Sequence, residues 1–178
     1  GAWQDAARHL EQALAAVSPA LPDADAIRCD VLVELGHARR SGGMIPEAQR
    51  AFDESISLAD RIGDQDRVLA AAVAFGAPQL WGSREWGETD PRLIALLEGQ
   101  LARIGDSDPA RRVRVLATLT MELYSDETAL RGWGYANEAL DIARRLGQPE
   151  ELGIAVSAYL FSAGELTDHL PQLRAILD

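Results

Sequence analysis

The sequence predicts an all-α chain, a solenoid of about four helical hairpins repeating every 42 residues or so. Three observations carry this reading. Aromatic residues make up only 6% of the chain while Ala, Leu, Arg and Glu dominate, a mix that favours helices over sheets. The string Arg61-Ile62-Gly63-Asp64-Gln65-Asp66 returns as Arg103-Ile104-Gly105-Asp106-Ser107-Asp108 and again as Arg145-Leu146-Gly147-Gln148-Pro149-Glu150. Its glycines are spaced 105 − 63 = 42 and 147 − 105 = 42 residues apart, the mark of a repeat architecture.

Each copy of the string reads as a joint. Arginine in a last helical turn complements the negative end of the macrodipole, and the glycine after it can take the left-handed conformation that closes the last carbonyls. The acidic residues that follow suit the start of the next helix. The joints then divide the chain in order. Residues 1–20, with Asp5 to Leu14 at their centre, read as the second helix of an earlier repeat. Hairpin 1 spans 22–63: Ala26, Ile27, Val31, Leu32, Leu35 and Ala38 recur near the helical period. Ser41-Gly42-Gly43 breaks that helix, and Pro46 opens a second one running to Ile62, with Ala48, Phe52, Ile56 and Ala59 on one face. Hairpin 2 spans 64–105. Hairpin 3 spans 106–147 and opens on Asp108-Pro109, a cap followed by a first-turn proline. Hairpin 4 occupies 148–178 and is incomplete. The chain starts inside a helix and stops at Leu177-Asp178 without the polar cap a solenoid needs, so an excerpt of a longer protein is expected.

Composition excludes several chemistries. The chain has no lysine, and all 17 positive charges are arginines, which removes a Walker A loop and a Schiff-base enzyme. A net charge of −11 repels phosphate backbones, so direct nucleic-acid binding is not expected. The single cysteine, Cys29, offers neither a disulfide nor a thiolate metal cage and reads as a buried thiol on a helix wall. His9, His37 and His169 fall in different hairpins with no ligands spaced around them. No catalytic set, no metal and no cofactor are expected. Without a membrane-length apolar run or a signal leader, the expected setting is the cytoplasm.

Leu35-Gly36, Ala48, Phe52 and the small Ser55 resemble the tetratricopeptide pattern of Leu-Gly, Ala, aromatic, Ala at matching spacing. The resemblance implies a right-handed α-α superhelix, a TPR-like solenoid in which small residues let helices cross closely. Later hairpins fit more loosely: Phe75-Gly76 stands where Leu35-Gly36 does, and Gly132, Ala136 and Ala139 mirror Ala48, Phe52 and Ser55. A wider succession is also present. Gly1 to Leu10 leads to Leu32-Val33-Glu34-Leu35-Gly36-His37-Ala38, then Arg61-Ile62-Gly63-Asp64, Leu96-Leu97-Glu98 and Ala117 to Tyr124. It is similar to the helical-repeat region of the large ATP-binding LuxR-type transcriptional regulators of actinobacteria. That likeness implies an ATPase module before the repeats, a helix-turn-helix DNA-binding module after them, and repeats that sense a protein partner or small-molecule inducer.

Three segments are candidate ligand or partner sites. Gly76 to Pro91 holds Trp81, Arg84 and Trp86, which read either as an aromatic-walled binding loop or as plugs between hairpins. Arg131-Gly132-Trp133-Gly134-Tyr135 offers Trp133 and Tyr135, again as pocket or as packing. Val33, His37 and Arg40 share a face of a first helix, the kind that lines the concave groove in this architecture. The expected function is a non-catalytic sensor and interaction region of a transcriptional regulator. The alternative is a constitutive scaffold that holds a partner peptide in its groove.

Overall fold

A computed structural model describes residues 1–75, 89–123 and 129–163, and among them the chain is all-helical, with eight helices and no strand. In order these are α1 (Ala2–Ala16), α2 (Ala24–Ser41), α3 (Ile45–Arg61), α4 (Gln65–Phe75), α5 (Pro91–Ile104), α6 (Pro109–Glu122), α7 (Ala129–Leu146) and α8 (Pro149–Ala163). They belong to two compact units, Gly1–Phe75 with α1 to α4 and Gly76–Asp178 with α5 to α8.

Local chemistry sets the helix ends. Asp90 accepts from the backbone N–H groups of Arg92 and Leu93, and Pro91 follows it in the first turn of α5. Asp108 accepts from Arg111 N–H at 3.0 Å, with Pro109 opening α6. These caps satisfy donors that no helical carbonyl can reach. At the joint after α3, Gly63 has φ +72°. Its N–H donates to Asp60 O and that of Asp64 to Ala59 O, both at 3.0 Å, the paired closure that a left-handed residue permits. Gly105 and Gly147 also have positive φ, as the joint string requires.

In the first unit the core is built around one crossing. Phe52 on α3 is fully buried. A Cβ on Gly36 of α2 would lie 2.6 Å from Phe52 Cζ, so only glycine lets the ring seat there. The ring also meets Phe75 of α4 edge-on at 6.3 Å between centroids. Phe52 thus joins three helices. One turn along α3 from Phe52, the Ser55 hydroxyl donates to Cys29 O at 3.0 Å, and the Cys29 thiol lies 3.8 Å from Ser55 O. Ser55 is therefore buried with its hydroxyl satisfied.

The second unit repeats this construction 84 positions later. Helices α6, α7 and α8 start at 109, 129 and 149, against 24, 45 and 65 for α2, α3 and α4. Buried Leu32, Leu35 and Ala59 recur as buried Leu116, Leu119 and Ala143. The volumes at the crossing are redistributed. Thr120 replaces Gly36 and Ala136 replaces Phe52, both fully buried, so bulk moves from one helix to its partner. The Thr120 hydroxyl is shared between Leu116 O at 2.9 Å and Gly132 O at 3.2 Å. Gly132, in the place of Ala48, permits close approach: a Cβ there would be 3.3 Å from Leu123 Cβ. Cys29 and Ser55 become Val113 and Ala139, an apolar pair in place of a hydrogen-bonded one.

Replacing Gly36 with Ala should therefore destabilise the chain by about 1–3 kcal/mol through overpacking, despite alanine's better helix propensity. Urea unfolding should show a lower midpoint, and the loss should shrink in a Phe52→Leu background. An unchanged midpoint in the single variant would contradict the crossing described.

Candidate functional site

The α2 face singled out in the sequence is largely committed to packing. Arg40 donates from Nη2 to Phe75 O at 2.7 Å, at the end of α4. Its guanidinium carbon also sits 4.6 Å from the centroid of the Phe52 ring, at cation–π range. Burial lowers the Arg40 pKa. His37 lies one turn away and meets the Phe52 ring edge-on at 5.4 Å, with its other side in solvent. Val33 is half-buried. The face therefore positions hairpin 1 against α4.

In the second unit Trp133 and Tyr135 reach different helices. Trp133 packs on Tyr159 of α8 with centroids 4.7 Å apart. Tyr159 stands 84 positions after Phe75, so Trp133 supplies the aromatic partner that Ala136 cannot. Tyr135 donates to Glu98 Oε1 of α5 at 2.9 Å, and Arg131 pairs with the same carboxylate. Burial, then the hydrogen bond to Glu98, raises the Tyr135 pKa. Of the flanking glycines, Gly132 meets neighbours closely while a Cβ on Gly134 would meet nothing within 4 Å. Trp81, Arg84 and Trp86 lie outside the described residues.

An open cleft lies elsewhere, in a place the sequence did not single out. In the first unit a cleft of about 540 Å³ forms where α1 ends, α2 begins and α3 ends. Val17, Leu21, Pro22 and Ile62 line it with apolar surface, and Asp23, Asp25 and Arg28 supply charge. Leu21 is 47% exposed and Ile62 40%, so the apolar wall is open to solvent. Asp23 is the N-cap residue of α2 but makes no side-chain capping bond. Arg28 donates to Leu14 O at 3.5 Å, which holds its side chain along the wall. The second unit carries a smaller counterpart of about 300 Å³ lined by Asp106, Pro109, Arg112, Ile142, Arg145 and Leu146. Four of these stand 84 positions after Pro22, Asp25, Arg28 and Ile62. Here Arg112 pairs with Glu138 and donates to Gly105 O at 3.1 Å. The only hint in the sequence was apolar Val17 and Leu21 beside a proline-flanked connector, a pattern that also fits an ordinary linker.

The Cys29 thiol is buried, and burial, followed by the Asp30 charge, raises its pKa, which disfavours the reactive thiolate. Among the described residues no group of three or more His, Cys, Asp or Glu side chains is placed to hold a metal ion. Likewise no described helix is long and apolar enough to cross a membrane. Comparison of the chain with protein-family models, curated proteins and solved structures returns no match.

Burial, then the Arg40 charge, lowers the His37 pKa from its ordinary 6.5, with Glu34 opposing. The folded chain therefore binds fewer protons than the unfolded chain near that pH. The stability tied to neutral His37 is complete above pH 6.5 and is lost as the pH falls below it. Urea unfolding between about pH 5 and 8 should show wild type losing stability on acidification more steeply than His37→Gln. Parallel pH curves would contradict this placement of His37.

Proposed function

We propose that this chain is a non-catalytic interaction region, a TPR-like superhelical repeat that senses a partner on behalf of modules attached to it. The observation that carries this reading is the solvent-open cleft at the α1–α2 joint, with Leu21 and Ile62 exposed beside Asp23 and Asp25. An aliphatic wall rimmed by carboxylates, on a chain of net charge −11, suits a partner segment that places an aliphatic side chain next to a basic one. Contact at this point touches the ends of three helices at once. An occupant would change the angle at which α1 meets hairpin 1, and that change in curvature is the signal passed along the repeats.

The likeness to the LuxR-type regulators supplies the wider setting, in which the attached modules are an ATPase and a DNA-binding helix-turn-helix in the cytoplasm. A small-molecule inducer is the second class of ligand that setting allows. The sequence placed a sensor's cavity beside the tryptophans. Trp133 instead packs on Tyr159, which favours a partner segment at the joint cleft over an inducer at Trp133.

Fluorescence anisotropy with a labelled peptide of alternating leucine and arginine tests the cleft. Binding should weaken as salt rises, and Leu21→Glu with Ile62→Glu should reduce it by about tenfold or more while helicity is kept. Equal binding to that variant, or to a leucine–glutamate peptide, would remove the cleft as the docking point. The regulator setting is tested separately, by sequencing the coding DNA on both sides. It requires a P-loop upstream and a helix-turn-helix downstream.

A further inference from the structure

Two ion-pair clusters occupy matching positions in the two units with their signs reversed. In the first unit Asp30 on α2 faces Arg67 on α4. The guanidinium holds both carboxylate oxygens, Nε to Oδ1 and Nη2 to Oδ2, each at 2.9 Å. Arg67 also binds Asp64 at 2.6 Å, at the start of α4. In the second unit the acidic partner is on the later helix. Arg114 on α6 holds Glu151 of α8 at 3.0 Å and Glu150 at 2.7 Å. Residues 114 and 151 are 84 positions after 30 and 67. The same bridge is thus built twice, as acid-to-base and then as base-to-acid. The corresponding positions 42 residues after the first bridge, Ala72 and Pro109, carry no charge at all.

Stability alone does not explain the reversal. The Asp30–Arg67 pair is part-exposed and contributes little whichever way round it is drawn, and although Glu151 is buried, its attraction to an arginine does not depend on which helix carries the acid. The polarity matters for what it forbids. The two units share buried positions in the same 84-residue register, although their crossings distribute volume differently, so the α2–α3 hairpin would offer α8 an apolar face in the register it offers α4. In that exchange Asp30 would meet Glu150 and Glu151, while Arg114 would meet Arg67 where it now meets Glu151 and Asp66 where it now meets Glu150. The first mispairing sets like charges against each other, and the second puts a like charge in the place of the buried Glu151, while both native pairings are attractive.

We propose that the reversed polarity of the Asp30–Arg67 and Arg114–Glu151 bridges is a recognition device that makes each hairpin accept only its own following helix, and so blocks exchange between the units of one chain and between two copies of it. Repeat chains are prone to that exchange, because neighbouring units are alike and misassembly uses native-type contacts.

The test makes the two bridges alike while keeping each intact. Asp30→Arg with Arg67→Glu and Asp64→Asn gives the first unit the polarity of the second. The mirror variant, Arg114→Asp with Glu151→Arg and Glu150→Gln, does so from the other side and serves if the first fails to fold. The two sets of substitutions combined restore the opposition. Each chain is unfolded in urea, refolded over a range of concentrations, and sized by chromatography with light scattering. The expected result is a several-fold larger associated fraction for the matched-polarity variants than for wild type, rising with concentration. Their urea midpoints should stay close to the wild-type value, and the fully reversed variant should return to wild-type sizing. The proposal is overturned if the matched variants refold to the wild-type size distribution, or if the fully reversed variant associates as much as they do.

Discussion

Everything in the first unit depends on a hydrogen atom at position 36. Because Gly36 has no side chain, the Phe52 ring can lie against the α2 backbone, and once seated it gives three other groups their place. Phe75 packs on it edge-on, His37 meets it from the side, and the Arg40 guanidinium rests at its face. Arg40, held there, donates to the carbonyl of Phe75. A carbonyl at that point of α4 has few helical donors left to it, so this bond continues the work of the helix by other means. One absent methyl group thus governs how hairpin 1 receives the helix that follows it.

The second unit keeps the frame and solves the volume problem differently. Its crossing has Thr120 and Ala136 where the first has Gly36 and Phe52, and its aromatic contact comes from Trp133 on Tyr159, one turn before the expected position. Both solutions bring helices close on small residues. Ala51, Ala59, Ala71 and Ala72 are almost wholly buried in the first unit, as are Ala136, Ala139, Ala143 and Ala155 in the second. Such an interior has little room to give. Adding a methyl group will cost more than the modest transfer energy of an alanine suggests, since the neighbour it meets is another helix.

How much of this is legible in the sequence follows from the range of the forces involved. The joints are legible because their chemistry is local: a glycine with positive φ, an arginine in the preceding turn and an aspartate cap act within a few residues of each other. The Gly36, Ala48, Phe52 and Ser55 pattern is legible because one hairpin contains both sides of the contact. Partner choice across hairpins is harder to read. Nothing near Trp133 says that its ring will stack on Tyr159, 26 positions away, and nothing near Arg40 names the Phe75 carbonyl. The α2 face and Trp133 therefore read equally well as surface for a ligand or as packing. The cleft at Val17, Leu21 and Ile62 escaped notice for the same reason, since Ile62 belongs to a different joint from the other two. The reversed bridges needed both the 84-residue correspondence and the side-chain pairings before they could be recognised.

The exchange between Cys29 and Ser55 gives the chain a built-in clock. Cys29 is the only thiol in the sequence, it is 1% exposed, and the α2–α3 contact that covers it is the crossing on which the first unit rests. A thiol reagent cannot reach it while those helices touch. Its labelling therefore counts how often they part, hairpin 1 being timed apart from any opening elsewhere in the molecule.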